Sequence, residues 1–370
     1  MLARGIERVE QTAGRGSFRS PAIRALGWFW GATLLVAAGG AAVLQVLGPP
    51  RHGGLTVTAP ATPAAATPAA KTVQPVPAPP TAGLDAADAP PGQPPLIAPP
   101  DPALLEPSKV FLGGVLPKIG PGGRAAMRAY AAPFDVAAAA GRPLVALLLS
   151  GIGMSETDSE EAIHLTPGAV SLAVSPYAYR PERLLGDARV SGHEVLLSLP
   201  MEPDRYPIDD AGNRALLTGN QPAVNQQRLE WALTRFAGYV GATGALGGLR
   251  GERFADAGEL MAPVLHELAS RGLLYIDPRP DAAVPAGSAI GRKVDVLIDE
   301  PAPVRAEIEA NLARLEQVAR DHGSALGLVS MPRPVTLDRI AAWAATLASR
   351  GIVLAPVSAL VALPHAGTTR

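Results

Sequence analysis

The chain has 370 residues, 32 Lys+Arg against 33 Asp+Glu, a formal net charge of −1 and no cysteine. This balance gives no global attraction for nucleic acid, and the absence of thiols excludes disulfides, thiolate nucleophiles and cysteine-bound zinc. The length would allow two domains, but two long segments lack the pattern of a packed core.

The first of these segments follows a basic stretch. Arg4, Arg8, Arg15, Arg19 and Arg24 face only Glu7 and Glu10 within residues 1–24, and no charge interrupts residues 25–48. A bilayer-spanning helix needs about 20 apolar residues, and Trp28 and Trp30 stand at the entry of the run, where interfacial aromatics belong. The run exceeds the 7–15 residues usual for the apolar core of a signal peptide, and Gln45-Val46-Leu47-Gly48 is a poor cleavage site. The sequence therefore predicts one transmembrane helix. By the positive-inside rule the N-terminus is cytoplasmic and the rest exported, giving a single-pass inner-membrane protein with its main domain in the periplasm.

Residues 49–107 hold 17 of the 39 prolines, interleaved with alanine and threonine. Such a segment lacks the apolar content to offset its ordering entropy and favours extended polyproline II, so it reads as a disordered, semi-rigid linker. Residues 108–142 form a lead-in, residues 143–363 the folded domain, and residues 364–370 a tail.

Within the domain, Leu144–Leu149 is a continuous apolar run of strand length. Comparable runs recur at 170–174, 194–199, 241–246, 273–277, 294–298, 325–329 and 352–356. Uninterrupted apolar strands indicate a sheet buried on both faces, hence parallel. Helical spacing fills the gaps: Leu260, Val264 and Leu268; Ile308, Leu312 and Leu315; Ile340, Trp343 and Leu347. Leu229, Trp231, Leu233 and Phe236 mark a less regular helix. Trp231 and Trp343 thus read as packing residues rather than sugar platforms. Alternation of this kind predicts an α/β fold, a distorted (β/α) barrel of about seven or eight strands, with a doubly wound open sheet as the alternative. In either fold the ligand site lies beyond the carboxyl ends of the strands.

Several of those segments carry a family resemblance. Gly192-His193-Glu194-Val195-Leu196-Leu197-Ser198-Leu199-Pro200-Met201-Glu202-Pro203 resembles the signature of the divergent polysaccharide deacetylases, within the NodB-like carbohydrate esterases. So do Asn220–Arg228, Gly251-Glu252-Arg253-Phe254 and Val357-Ser358-Ala359-Leu360. The resemblance covers roughly residues 143–360. It implies a distorted barrel and, in active relatives, a divalent metal such as zinc that hydrolyses N-acetyl groups on glycans. The departures remove the ligands. An Asp-Asp pair of the family reads Ser150-Gly151 here, a histidine reads Ser198, a second reads Leu249, and a His-Pro reads Met331-Pro332. Metal-assisted hydrolysis needs two or three His or Asp ligands and an open position for water, and these replacements are poor or absent donors. No catalytic residue, metal or cofactor is therefore expected.

Glu202, Arg253, Asp277, Arg279 and Asp299 remain as candidate substrate-binding residues, since carboxylates and guanidinium forks bind sugar hydroxyls well. The plainer reading of the same residues is a set of loop charges and buried pairs, such as Arg253 with Asp277. The sequence thus points to a non-catalytic or impaired member that binds envelope glycan or an envelope protein. Two alternatives stand beside it: an active deacetylase with ligands drawn from Asp277, Asp299 and Glu202, and an envelope adaptor acting through its outer surface. The membrane is an expected partner through the N-terminal helix, and nucleic acid is not.

Overall fold

The computed structural model describes residues 96–282 and 290–362. The expected span at 25–48, most of the expected linker and the tail lie outside the described residues. Among those described, no helix is long and apolar enough to cross a membrane.

Each apolar run predicted as a strand contains one. They are β3 (Leu144–Ile152), β4 (Ser171–Val174), β5 (Val195–Ser198), β6 (Gly241–Thr243), β7 (Leu274–Asp277), β9 (Val296–Leu297), β10 (Ser324–Val329) and β11 (Val353–Leu354). Outside those runs lie β8 (Gly291–Lys293) and a hairpin, β1 (Leu105–Pro107) with β2 (Val115–Pro117). All nine residues of β3 are buried, as expected of a parallel strand covered on both faces.

The sheet runs β8-β7-β6-β5-β4-β3-β10-β9, and every pair in it is parallel. Its two ends meet in one stretch of chain. β8 pairs with β7 and β9 with β10, and only Val294 and Asp295 separate them. The result is a curled, barrel-like sheet. β10 occupies one edge of β3 along Leu144–Leu149, so β11 takes the start of the other edge and β4 its continuation from Leu148.

Helices cover the outside: α1 (Ala126–Ala129), α2 (Val136–Ala139), α3 (Glu156–Leu165), α4 (Pro181–Ser191), α5 (Pro222–Leu233), α6 (Glu252–Asp256), α7 (Gly258–Ser270), α8 (Arg305–His322), α9 (Pro334–Leu347) and α10 (Val357–Ala362). Proline begins α4, α5 and α9, where its fixed φ suits the first turn and its missing N–H would have no partner. The buried faces of α8 (Ile308, Leu312, Leu315) and α9 (Ile340, Trp343, Leu347) are those the periodicity predicts.

The linker ends earlier than the sequence suggests. Ile97 and Leu104 are buried in the core cluster, and residues 105–107 form β1. Asp101 caps the short 3-10 helix Pro102–Leu104, accepting from the Ala103 amide at 2.8 Å. Three apolar residues, Ile97, Leu104 and Leu105, sit among the last prolines. Their burial, worth roughly 1.5–3 kcal/mol per large side chain, outweighs a composition that otherwise reads as disordered.

Candidate functional site

The carboxyl ends of β3, β6 and β10 bring together three of the predicted positions, Ser150, Gly151 and Met331, and their neighbours. Ser150, fully buried at the end of β3, accepts a hydrogen bond from the Gly247 amide at 3.1 Å. Gly151 follows with φ +78°, a conformation that side chains rarely adopt, and a Cβ there would lie 2.8 Å from the Met331 sulfur. A Cβ on Gly247 would lie 3.1 Å from the sulfurs of both Met154 and Met331. Two thioethers thus converge on Gly151, Gly247 and Ser150. Ser198, at the end of β5, is fully buried and its Oγ has no hydrogen-bond partner among the described residues. Leu249 closes a tight turn by exchanging backbone hydrogen bonds with Leu246, and packs on the small cluster of Ala211, Ala215 and Leu246.

The charged candidates are each engaged by the protein. Glu202 is buried and accepts from the Thr218 amide at 2.5 Å, the Thr218 hydroxyl at 2.7 Å and the half-exposed Arg253 at 3.1 Å. Burial works against its charge, but the Thr218 donors and then Arg253 outweigh it and hold the carboxyl below its ordinary range. Arg253 therefore pairs with Glu202, not with Asp277 as the sequence suggested.

Asp277 instead takes a two-pronged contact from Arg279, Nε at 2.9 Å and Nη2 at 2.7 Å. Arg279 also reaches Asp256. The hydrogen bonds to Asp277 raise the Arg279 pKa further above its usual value, although burial opposes this. Asp299 is buried and accepts from the Ser330 amide at 2.8 Å and the Met331 amide at 3.2 Å. Here burial wins, and the carboxyl is pushed above its ordinary range despite those amides.

Two residues at this rim, Arg250 and Met154, did not stand out in the sequence. Arg250 contacts Glu300 at 2.6 Å, and the Ser330 hydroxyl donates to the same Glu300 oxygen at 2.8 Å. Met154 fills the space beside Gly247. Its position three residues beyond Gly151 was the available signal, but nothing in the sequence shows that the sulfur of this largely exposed side chain lies against Gly247.

The donor set does not fit the metal that the resemblance implies. Ser150 is a neutral hydroxyl already accepting an amide, Gly151 and Gly247 offer no side chain, and Met331 supplies a thioether, which suits soft metals rather than zinc hydrolysis. The carboxylates of Glu202, Asp277 and Asp299 are bound to Thr218 and Arg253, to Arg279, and to two backbone amides. Among the described residues, no group of three or more His, Asp or Glu is placed to hold a metal ion. His193, the one buried histidine described, precedes β5 at the opposite end of the sheet. Its ring nitrogens face the carbonyls of Val170 and Ile163 at 2.8 and 3.0 Å, and burial lowers its pKa.

The family model described as divergent polysaccharide deacetylase matches residues 147–361. The crystal structure of an uncharacterized protein from Agrobacterium tumefaciens C58 is 32% identical, with 67% of this chain and 99% of that chain covered and a TM-score of 0.60. The catalytic domain of a peptidoglycan N-acetylglucosamine deacetylase from Eubacterium rectale ATCC 33656 is 13% identical, with 64% and 96% covered and a TM-score of 0.37. No curated protein matches the chain.

Proposed function

Because the chain belongs to the divergent polysaccharide deacetylase family, we propose that it is a membrane-anchored envelope protein that binds glycan without deacetylating it. The observation that carries this reading is the packing of Met154 and Met331 onto Gly151 and Gly247, at the carboxyl ends of the strands where such folds place their chemistry. A reaction centre there would need a Lewis acid to generate hydroxide at neutral pH, and also a base and an acid. The rim offers thioethers, a neutral serine, and carboxylates that already serve neighbouring donors.

The test is elemental analysis of the purified chain, with acetylated glucosamine oligomers as substrate. The expected result is no stoichiometric divalent metal, no change in thermal stability with chelator, and no acetate released when zinc is added. About one tightly held metal per chain, with deacetylation that chelator abolishes, would overturn the reading.

The anchor is supported by the uncharged run at 25–48 and the arginines before it. Deleting residues 1–48 should move the protein from the membrane to the soluble fraction. A reporter fused after Pro107 should be active only in a form that works outside the cytoplasm. Retention on the membrane after the deletion would contradict the single anchor.

A further inference from the structure

The chain enters the domain at the end where the strands begin. The Leu96 and Ile97 amides donate to the Arg189 carbonyl, in the last turn of α4, at 3.1 and 3.3 Å. The hairpin of β1 and β2 is held at the same end. Ser108 Oγ donates to Glu230, near the end of α5, at 2.7 Å. Arg271, just past α7, reaches Glu106 at 3.0 Å and the Pro117 carbonyl at 2.8 Å. These helices end where the next strands start, so the hairpin lies opposite the rim that carries Met154 and Met331.

The hairpin tip is apolar, exposed and built to stay so. Leu112 is fully exposed and Val110 about half so, beside the exposed Lys109. A lone surface leucine needs no explanation, but this one sits on an ordered loop. The Ser108 hydroxyl accepts from the Val110 and Phe111 amides at 3.1 and 2.8 Å. The Gly114 amide donates to the Phe111 carbonyl, and the Ser108 amide to the Gly114 carbonyl, at 2.9 and 2.8 Å. Much of the loop's backbone thus has its partners inside the loop, which lowers the cost of taking it out of water. The charge around it has one sign. Residues 108–134 include Lys109, Lys118, Arg124 and Arg128 and no Asp or Glu. Arg124 is engaged by Asp101 at 2.9 Å, whereas Lys109 and Arg128 are exposed. The nearby Glu106 is paired with Arg271, and Glu230 lies beneath Ser108.

We propose that this tip docks on an anionic lipid surface, with Val110 and Leu112 entering the interface and Lys109 meeting the headgroups. The proposal rests on the membrane-anchor reading above. Apolar side chains beside cations match the layered chemistry of an anionic bilayer, acyl chains under negative headgroups. A protein partner would have to supply both an apolar pocket and an acidic rim of matching shape, whereas a lipid surface supplies them without shape. So few apolar side chains bind a bilayer weakly alone. A domain tethered to the same membrane meets it at high effective concentration, so weak contact is enough. Docked in this way, the domain turns the amino ends of its strands to the bilayer and its carboxyl-end rim away from it.

The chain has no cysteine, so Leu112→Cys provides a single thiol for an environment-sensitive fluorophore. The full-length chain is reconstituted in vesicles of phosphatidylethanolamine and phosphatidylglycerol. Ile208→Cys, at a side chain 78% exposed in the loop after β5, is the control at the opposite end. Both changes are at exposed side chains, and unchanged melting confirms that the variants fold. The label at 112 should emit to the blue of the label at 208 and lose intensity to spin-labelled acyl chains, which should leave 208 unaffected. Adding Lys109→Glu should weaken both effects at 112. Matching emission at the two positions, without lipid quenching, in a chain that floats with the vesicles would overturn the proposal and leave the anchor intact. A blue shift that arises only in native membranes, and not in these vesicles, would also overturn it in favour of a protein partner. Quenching at 112 that Lys109→Glu leaves unchanged would overturn the role given to anionic headgroups. A chain that fails to float would overturn the anchor, and with it the docking that depends on it.

Discussion

At the amino end of the strands, the buried Glu194 accepts hydrogen bonds from the Ala132 amide, the Ser171 hydroxyl, and the Ser358 amide and hydroxyl, at 2.5–3.1 Å. Ser171 in turn accepts from the Val357 amide at 3.0 Å, so lead-in, β4 and α10 are tied at one carboxylate. At the carboxyl end, the Met331 sulfur instead lies close to Gly151 and Gly247 and the Met154 sulfur close to Gly247, and the charges sit in separate pairs. Polar investment at one end is concentrated and buried. At the other it is dispersed, and Glu202–Arg253 and Arg279–Asp256 each have one half-exposed or exposed partner. A buried acid in this fold can thus mark a structural latch, as Glu194 does.

The largest expected effect breaks the latch. Glu194→Ala leaves four donors without their acceptor, and each buried unsatisfied group costs about 1–3 kcal/mol. A loss of at least about 3 kcal/mol is expected, a large part of the roughly 5–15 kcal/mol that keeps a domain folded. Chemical unfolding measures it, and a loss below about 1 kcal/mol would show that water replaces the carboxylate easily.

A step smaller is Asp277→Ala, which strips Arg279 of its two-pronged partner while Asp256 remains. With the pair's side chains only 4% and 15% exposed, about 2–4 kcal/mol should be lost. Arg253→Ala, at the half-exposed pair with Glu202, should cost about 1 kcal/mol or less. Equal losses in the two variants would erase the distinction between buried and surface pairs at this rim.

Much of the sheet was legible because burial on both faces forces continuous apolar runs, and each of the eight runs contains a strand. β8 was not legible because Gly291-Arg292-Lys293 is a polar edge segment, with Arg292 serving Ser324 and Asp295 rather than packing. The rim was legible in part. Ser150, Gly151 and Met331 do meet, since strand ends converge in a curled parallel sheet. Pairing among the charges was not legible, because which arginine reaches which carboxylate depends on loop paths. Arg253 reaches Glu202 rather than Asp277, the partner expected of it, for that reason, and Asp277 is taken by Arg279. Glu194 escaped notice as a functional group because it lies inside a strand-like run, and its four donors come from segments up to 164 residues away.

Repacking around Gly151 offers a finer probe. Gly151→Ala forces a side chain into a left-handed position and against the Met331 sulfur, and should cost about 1–2 kcal/mol. If contact with Met331 is part of that cost, Gly151→Ala combined with Met331→Ala should lose less than the sum of the two single changes. Strict additivity would mean that backbone strain alone accounts for the effect, and the thioether packing would matter less than its closeness suggests.

The smallest effects concern pH, and they separate two acids at one rim by sign. The Glu202 carboxyl is held below its unfolded value of about 4.3, so its contribution is full above that pH and is lost as pH falls through the lower folded value. Asp299 is the reverse. Its folded pKa lies above the unfolded value of about 3.9, so its contribution is full below that pH and is lost as pH rises through the folded value. Unfolding midpoints for wild type, Glu202→Gln and Asp299→Asn across the acid range measure both. The advantage of wild type over Glu202→Gln should shrink toward acid. Asp299→Asn should begin at a disadvantage, because an asparagine oxygen accepts from only one of the Ser330 and Met331 amides readily while its NH2 faces the other. That disadvantage should narrow as pH rises past about 4, when the wild-type carboxylate must carry its charge in a buried setting. A disadvantage that widened instead would mean that the two amides, not burial, dominate at Asp299, and that this carboxylate resembles Glu202 after all.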